Sequence, residues 1–466
     1  MIERPSPVLA FLIASVLLGL VFIVGTPPFR YPDEQAHFLR SYAIAHGDQV
    51  LVRANEPGIH APTSLIEDFR YCESRVHRLR QAGLPYAPEE ITSRLESRPD
   101  RDDSLRPIHL APAVLLGNPI AYLPQAAAIR VAETAGGGLL VQLYTARLVV
   151  LLLSSVLAVW ALRLLPFGRL PMALFGLLPM VAWLRGSISP DAYAIAGGML
   201  IVAVALRIGG TLSKDKTLTR NEYVAFAVAA TILAFSKFIY LAGVLVLLPW
   251  TAPLLRRWRE TLVLGLASAP AVALGIAWTS YATAQFPHVR PDLPAELLDA
   301  EAKREWLTTS VLTVPNLISD TLVENLAVYA HQAMGVFGWL DVPFPTLPLG
   351  LLTAILGLSA FIGDVPQGAT RLQGLTFVGV FGTQVVLVLV SILMLWTPIG
   401  MRVIEGVQGR YFLPLLPALI LGARFLLAPR PLHDSRGLQV ALAITFVAIV
   451  FALALWYATV EFETSR

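Results

Sequence analysis

Residues 8–25 read VLAFLIASVLLGLVFIVG, a run of eighteen residues without a charged side chain. A helix of that length is about 27 Å long, close to the ~30 Å hydrocarbon core of a bilayer. Further apolar blocks follow along the chain, and together they predict an all-α polytopic membrane protein. The eleven predicted spans are 8–25, 144–164, 169–186, 191–208, 221–236, 238–254, 260–282, 346–363, 373–396, 411–428 and 437–458.

The composition supports this fold class and excludes others. Hydrophobic residues make up 56% of the 466 residues, charged residues make up 14%, and mean hydropathy is +0.65. An average soluble domain has roughly 25% charged residues, so a soluble enzyme and a disordered chain are both excluded. Cys72 is the single cysteine, which excludes an intrachain disulfide. Because no basic tract with interleaved aromatic residues is present, we expect no nucleic-acid partner.

Basic residues predict the orientation, because cytoplasmic loops are enriched in Lys and Arg. With the N-terminus in the cytoplasm, the short loops on that side hold most of the basic residues. Counting 111–131 as a span would reverse this distribution, so we predict there an amphipathic helix in the outer interface. We expect 8–25 to stay as an uncleaved helix, since no small-residue cleavage site precedes Thr26.

This topology divides the chain into five parts. They are a first transmembrane helix (1–25), an extracytoplasmic loop with interfacial helices (26–143), helices 2–7 (144–283), a second extracytoplasmic loop (284–345) and helices 8–11 (346–466). Loops as long as the first are usually functional or disordered. Residues that carry chemistry are therefore expected on the predicted outer face.

The sharpest local feature is the segment Pro32–Phe38 (PDEQAHF), shortly after the first span. A proline suits the first position of a helix, which would put Asp33 and Glu34 in the first turn, where the helix dipole favours ionised carboxylates. Asp33 and His37 are four residues apart and would share one face. The alternative is ordinary charge at a helix N-terminus.

Asp191 and Lys237 are further charged residues on the predicted outer face. Asp191 follows Pro190 in a turn that resembles the first one, with Ser189 as a candidate N-cap. Lys237 lies between two apolar blocks, where an ionisable group is costly and marks a candidate functional site. The alternatives are a helix cap for Asp191 and a side chain that reaches the interface for Lys237.

Arg402 and Arg410 precede the tenth predicted span. The guanidinium fork of Arg410 suits phosphate, and Gly409 would allow a ligand to approach the backbone closely. The alternative is that these residues anchor a helix end at the interface. No phosphate-binding glycine loop, serine-hydrolase elbow or zinc-protease motif is present in the sequence.

Five motifs run in order through nearly the whole chain: PDEQAHF (32–38), SPDA (189–192), SKFIY (236–240), GWLD (338–341) and QGRYFLPLLP (408–417). In this pattern the chain resembles the DUF2142 family of predicted bacterial membrane proteins. That family in turn resembles the GT-C superfamily of polyprenyl-phosphate-sugar-dependent glycosyltransferases, in which the first outer loop carries an acidic residue at the active site. The resemblance implies a GT-C-like bundle of about eleven transmembrane helices in the bacterial cytoplasmic membrane, with an extracytoplasmic site.

The resemblance also implies roles for residues. It puts the catalytic acid on Asp33 or Glu34, which it does not distinguish. Inverting transfer needs one carboxylate that accepts the proton of the acceptor hydroxyl, and cations that stabilise the leaving phosphate. The partners are then a polyprenyl-phosphate-linked sugar, a glycan acceptor and the bilayer. Supporting roles are expected for His37 and Asp191, phosphate contacts from Lys237, Arg402 and Arg410, and sugar or acceptor contacts from Tyr122, Trp339, Asp341, Gln408 and Tyr411.

Two questions stay open at this point. The chemistry requires no cofactor, but Asp33, Glu34 and Asp191 could together hold Mg²⁺ or Mn²⁺, since hard cations prefer carboxylate oxygens. The function could instead be that of a flippase or transporter for lipid-linked saccharides, or of a non-catalytic assembly partner. A transporter is expected to show charges in mid-membrane and repeat symmetry, and the sequence shows no internal repeat.

Overall fold

The computed structural model describes residues 7–48, 58–81, 93, 104–109, 112–285, 290, 292–362, 370–427 and 436–462, and these are almost entirely helical. The predicted all-α class is thus confirmed for the described residues, apart from two small antiparallel ribbons. In the first ribbon β1 (Gly58–Pro62) pairs with β2 (Leu105–His109), and in the second β3 (Val336–Phe337) pairs with β4 (Val342–Pro343).

The α-helices of the described chain vary widely in length. They are α1 (Pro7–Gly25), α2 (Glu34–Ala45), α3 (Thr63–Gln81), α4 (Pro112–Leu115), α5 (Leu123–Thr134), α6 (Leu139–Leu164), α7 (Arg169–Gly176), α8 (Pro179–Arg185), α9 (Asp191–Leu212), α10 (Arg220–Ser236), α11 (Thr251–Arg256), α12 (Trp258–Gln285), α13 (Ala300–Thr308), α14 (Thr313–Gly335), α15 (Thr346–Ala360), α16 (Arg371–Leu395), α17 (Leu416–Leu427) and α18 (Arg436–Phe462). Four 3-10 segments join them: Pro119–Tyr122, Phe238–Trp250, Ala295–Leu298 and Gly409–Phe412.

Seven helical segments of the described chain are long and apolar enough to cross a membrane. Each of them overlaps a predicted span, which confirms a polytopic helical membrane protein. They are Pro7–Gly25, Leu139–Leu164, Asp191–Leu212, Phe238–Arg256, Trp258–Gln285, Arg371–Leu395 and Arg436–Phe462.

The other four predicted spans correspond to shorter helices, so the count of eleven stays a prediction. Spans 346–363 and 411–428 correspond to α15 and α17, which are apolar but have 15 and 12 residues. Span 221–236 corresponds to α10, which has 17 residues. Span 169–186 is divided into α7 and α8, because Leu178 precedes Pro179 and is extended, with ψ 143°.

The first predicted loop is mostly helical where it is described. Residues 112–134 form α4, the 3-10 segment Pro119–Tyr122 and α5, so the single helix predicted over 111–131 is corrected to three short ones. The division occurs at Asn118, which is extended, precedes Pro119 and accepts a hydrogen bond from the N–H of Ile120 at 3.0 Å. This turn brings Tyr122 towards α2.

Helix α9 is the most buried of the seven candidate spans, and it lies at the centre of the bundle. It packs against α6, α10 and the 3-10 segment Phe238–Trp250. Gly198 in α9 faces the backbone carbonyl of Pro414, and a β-carbon at that position would overlap this oxygen. Close backbone contact at Gly198 therefore ties α9 to the turn that precedes α17.

We expect Gly198→Ala to destabilise the protein, because the added methyl group meets backbone rather than a movable side chain. Overpacking of this kind typically costs about 1–3 kcal/mol. Gly210→Ala in the same helix is the matched control, since nothing lies within 4 Å of a β-carbon there. Thermal unfolding in detergent measures both, and equal melting temperatures for the two variants would contradict the packing argument.

Candidate functional site

Side chains from five separate segments meet at one end of the bundle, and we call them the Asp33 cluster. They come from the start of α2, the 3-10 segment Pro119–Tyr122, the start of α9, the end of α10 and the 3-10 segment Gly409–Phe412. All of them were among the predicted site residues. The members are Asp33, His37, Tyr122, Asp191, Lys237, Arg410 and Tyr411.

Asp33 is the most accessible carboxylate of the cluster. Helix α2 begins at Glu34, and Asp33 precedes it with φ 54°, in the left-handed region that few non-glycine residues adopt. Its side chain is 57% exposed and does not cap the helix. Instead, Nη2 of Arg410 donates a hydrogen bond to Oδ2 of Asp33 at 3.2 Å. An accessible carboxylate is thus held beside a guanidinium group.

Asp191 binds the other side of the same guanidinium and a second cation. Nζ of Lys237 lies 2.8 Å from Oδ1 of Asp191, and Nε of Arg410 lies 3.5 Å from Oδ2. The residue that precedes α9 is Pro190, so the prediction of Ser189 as the N-cap is corrected, although Oγ of Ser189 accepts a hydrogen bond from the N–H of Asp191 at 3.2 Å. Arg410 therefore lies between two carboxylates, and one of these also pairs with Lys237.

Close contact with α14 places Arg410 in the cluster. The N–H of Gly409 donates to Oε1 of Gln332 at 2.9 Å, and a β-carbon at position 409 would overlap the backbone of Tyr329 and Ala333. The sequence predicts that Gly409 gives a ligand access to the backbone. The structure corrects this, because the group that approaches Gly409 closely is helix α14.

The ring of Tyr411 contacts both cations of the cluster. Nζ of Lys237 is 4.4 Å from the ring centroid, and the guanidinium carbon of Arg410 is 5.2 Å from it. The carbonyl of Tyr411 accepts hydrogen bonds from Gln384 at 2.7 Å and from the hydroxyl of Tyr240 at 3.2 Å. An aromatic face attracts cations without neutralising them, so this ring keeps two positive charges close together.

His37 and Tyr122 form the uncharged side of the cluster. Nδ1 of His37 lies 2.9 Å from the hydroxyl of Tyr122, which is buried. Burial lowers the pKa of His37 to about 4, although the carboxylates of Asp33 and Asp191 act in the opposite direction. At neutral pH the imidazole is therefore uncharged and can exchange a hydrogen bond with the tyrosine.

A narrow cleft adjoins the Asp33 cluster, and in this structure it is too tight to hold a water molecule. Oε1 of Gln408, a predicted contact residue, is buried and accepts no hydrogen bond from the described residues. The cleft thus combines an apolar floor with amide and guanidinium groups. Its lining residues are Pro32, Met180, Trp183, Gln332, Val336, Leu340, Gln408 and Arg410.

Glu34 points away from the cluster, although it adjoins Asp33 in sequence. Its side chain is fully buried, as is that of Arg147 in α6. Nε of Arg147 donates to Oε1 at 2.8 Å, and Nη2 donates to Oε2 at 2.6 Å. Both carboxylate oxygens of Glu34 are thus occupied by one guanidinium in a bidentate ion pair.

Asp341 and Trp339 lie in the tight connection between β3 and β4, outside the cluster. Nη2 of Arg30 donates to both carboxylate oxygens of Asp341, at 2.9 and 3.0 Å, and also to Glu461 in α18 at 2.9 Å. Trp339 is 43% exposed, and its indole N–H donates to the carbonyl of Phe29 at 3.4 Å. This connection therefore braces the residues between α1 and α2.

Arg402 lies away from the predicted phosphate-binding position. Its side chain is 80% exposed and pairs with Glu324 of α14 at 3.0 Å. Lys237 and Arg410 are thus the two predicted phosphate contacts that the structure brings together.

The carboxylates proposed to hold a divalent cation do not converge. Both oxygens of Glu34 bind Arg147, whereas Asp33 and Asp191 bind Arg410. Among the residues that the structure describes, no group of three or more His, Cys, Asp or Glu side chains is arranged to hold a metal ion. The predicted set of Asp33, Glu34 and Asp191 is therefore corrected.

A comparison of the chain with models of protein families matches residues 16–419 to the family described as "Predicted membrane protein (DUF2142)". The chain belongs to the DUF2142 family. It is accordingly a multi-pass membrane protein, and every member of the Asp33 cluster lies inside the DUF2142 match. No curated protein and no solved structure matches the chain significantly.

Three residues that support the Asp33 cluster of this DUF2142 protein were not predicted from the sequence. Arg147 interrupts a long apolar block, and an ionisable residue at such depth is itself a signal of a buried partner. Arg30 precedes Asp33 closely, but nothing local indicates that it pairs with Glu461. Gln332 is an ordinary polar residue of a helix, and only the fold shows its contact with Gly409.

We expect protonation of His37 to destabilise the folded protein. Because its pKa is lowered from 6.5 to about 4, the unfolded chain binds this proton more tightly, and the contribution to stability falls as the pH falls from about 6.5 to about 4. Melting temperatures over this range should therefore decline more steeply for the wild type than for His37→Asn. Tyr122→Phe, which keeps the histidine, should retain the wild-type slope. Parallel curves for the wild type and His37→Asn would contradict the prediction.

Proposed function

We propose that this protein is an inverting GT-C-type glycosyltransferase with about eleven transmembrane helices. It moves a sugar from a polyprenyl-phosphate donor to a cell-surface glycan or lipid-linked acceptor, on the outer face of the bacterial cytoplasmic membrane. The observation that carries the proposal is an accessible carboxylate, Asp33, held 3.2 Å from Arg410, whose other carboxylate partner, Asp191, also binds a second cation, Lys237. This arrangement offers one base and two phosphate-binding groups at one end of a membrane bundle.

The proposed transfer is a single displacement. The acceptor hydroxyl attacks the anomeric carbon on the face opposite the phosphate, and a carboxylate oxygen of Asp33 takes its proton. The glycosidic bond forms as the bond from the anomeric carbon to the phosphate oxygen breaks, and that oxygen keeps the electron pair. Lys237 and Arg410 stabilise the negative charge on the departing polyprenyl phosphate. Asp33 then releases its proton to water.

The cations of the cluster are already paired, so the donor phosphate has to compete with carboxylates. The side chain of Lys237 is 38% exposed, whereas that of Arg410 is 8% exposed, so the phosphate reaches Lys237 first. As phosphate replaces Asp33 on Arg410, the carboxylate of Asp33 becomes available to the acceptor hydroxyl. Asp191 keeps both cations in place throughout, because it contacts each of them.

The base is Asp33 rather than Glu34 in this proposal. Glu34 is fully buried, and both its oxygens bind Arg147, so an acceptor hydroxyl has no access to them. Sugar or acceptor contacts are assigned to Gln408, whose buried oxygen lines the cleft, and to Tyr122 and Tyr411 of the Asp33 cluster. Trp339 is exposed near the cleft, whereas Asp341 supports the site through Arg30.

A flippase for lipid-linked saccharides is the second candidate, and one observation favours it. Arg185 of α8 is fully buried and bonds to Ser15, midway along α1, at 2.5 Å. The described residues provide it with no carboxylate partner, and charges inside a bundle are typical of transport pathways. Reconstituted protein separates the two functions: sugar transfer from a synthetic polyprenyl-phosphate hexose supports the first, and scrambling of that lipid without transfer supports the second.

We expect Asp33→Asn to lower the rate of transfer at least ~100-fold, which is the scale of general-base catalysis. Its affinity for polyprenyl phosphate should stay equal or increase, because a competitor for Arg410 has been removed. Asp215→Asn is the matched control, since Asp215 has φ 53° and pairs with Arg257 outside the cluster. Surface-glycan composition in a deletion strain that carries each variant gives a second measurement. Normal transfer by Asp33→Asn would overturn the mechanism.

Arg402 and Arg410 both lie between α16 and α17, and we expect them to differ in binding the donor phosphate. Charge-assisted hydrogen bonds contribute about 1.5–3 kcal/mol, so Arg410→Gln should weaken binding of polyprenyl monophosphate at least ~10-fold. Arg402→Gln should change it less than about twofold, since Arg402 pairs with Glu324 on the surface. Titration calorimetry in detergent measures both affinities. Equal losses in the two variants would contradict the placement of the phosphate.

A further inference from the structure

We propose that Arg147, paired with Glu34, is the positioning residue that holds Asp33 at Arg410. The inference rests on the proposed function for its kinetic readout, although the positional claim can be tested without it. Arg147 does not touch the cluster itself. It acts through the connection between α1 and α2, which ends at Asp33.

The contacts of Arg147 are directed at both ends of this connection. Its guanidinium donates hydrogen bonds to the carbonyls of Ile23 at 3.2 Å, Thr26 at 2.8 Å and Pro27 at 2.9 Å. The same group binds both oxygens of Glu34 at 2.8 and 2.6 Å. One guanidinium therefore binds the end of α1 and the first residue of α2, and this restricts the backbone conformations open to the residues between them.

Two aromatic rings also restrict the orientation of the guanidinium plane of Arg147. Its guanidinium carbon lies 4.7 Å from the ring centroid of Tyr31 and 4.9 Å from that of Tyr144. A lysine has a compact ammonium group and could not supply five directed hydrogen bonds from a fixed plane. The geometry thus specifies an arginine at position 147.

Asp33 is the residue that this arrangement fixes. It is held in the left-handed backbone region, with φ 54°, between residues that Arg147 binds on either side. Strained backbone of this kind persists only where the surroundings determine it. The side chain is thereby turned outwards to Arg410, while that of its neighbour Glu34 is turned inwards to Arg147.

Stability alone does not account for this pair. Replacing a buried ion pair by apolar residues of similar size is often neutral or stabilising, whereas removing one partner leaves a buried charge. If Arg147 and Glu34 served only to fill space inside the bundle, two apolar residues could therefore replace them. What an apolar pair cannot do is to bind three backbone carbonyls and set the direction of Asp33.

The test uses the double variant Glu34→Met/Arg147→Met in the full-length protein, because it leaves no buried charge unpaired. We expect kcat to fall ~100-fold, as misplacement of a reacting group by about 1 Å can cause, while the KM for a synthetic polyprenyl-phosphate hexose changes less than twofold. The melting temperature should fall about as much as in the control described next, because the carbonyls of Ile23, Thr26 and Pro27 lose their guanidinium donor. Arg147→Lys should not recover kcat, because the planar fork is lost.

Lys303→Met is the matched control. Lys303 is a fully buried cation that binds the carbonyls of Leu393 and Met394 at the end of α16, in the same manner but far from Asp33 in the chain. We expect it to lower the melting temperature and leave kcat unchanged. A double variant with wild-type kcat, or a control with the same loss of kcat, would overturn the proposal.

Amide hydrogen exchange distinguishes failure of this inference from failure of the proposed function. In the double variant, exchange over residues 26–37 should accelerate at least ~10-fold more than exchange over the central helix α9. If the wild type transfers no sugar but this acceleration occurs, the positioning role is supported and the proposed function is wrong. Unchanged exchange over 26–37 would overturn the positioning role whatever the wild-type activity.

Discussion

The guanidinium of Arg410 is the group on which the arrangement of the Asp33 cluster depends. It is almost fully buried, and a buried cation without partners is costly in surroundings of low polarity. Its partners come from the start of α2 and the start of α9, which are far from it in the chain. With Lys237 included, two carboxylates balance two cations, so the resting cluster carries no net charge at neutral pH. Satisfying Arg410 thus brings the two halves of the chain to one point.

Each charged member of the cluster lies where a helix begins or ends. Asp33 precedes α2, Asp191 begins α9, Lys237 ends α10, and Arg410 lies in the 3-10 segment before α17. The ends of helices leave backbone groups without intrahelical partners, and polar side chains can complete them. Long uninterrupted helices would provide no such positions within reach of each other. The interruptions between helices therefore create the positions at which the cluster forms.

The sequence was sufficient to predict the fold class and most of the cluster, for a physical reason. Charges are so costly in a membrane protein that Asp191, Lys237 and Arg410 stand out against their apolar neighbours. The cost of charge in a membrane protein could not, however, predict different roles for Asp33 and Glu34, which are adjacent in the sequence. The choice between Asp33 and Glu34 depends on Arg147, which lies 113 residues from Glu34.

The same limit explains the other differences between prediction and structure. Arg402 and Arg410 both lie between α16 and α17, but Arg402 pairs with Glu324 and Arg410 pairs with Asp33. Neither partner is close to its arginine in the sequence, so the spacing of residues could not predict these pairs. The division between α7 and α8 was visible as Pro179, but the continuous hydropathy of that block concealed it. Hydropathy measures how well a segment tolerates lipid. It does not measure whether its backbone stays helical.

The ion pair between Arg30 and Glu461 limits where this protein can be truncated. The family match ends at residue 419, yet Glu461 of the last helix supplies the carboxylate that binds the guanidinium of Arg30 most fully, a few residues before Asp33. A fragment trimmed to the family boundary would lose that carboxylate and leave Arg30 with Asp341. The last helix lies beyond the segment by which the family is recognised, yet it supports the residues that precede Asp33.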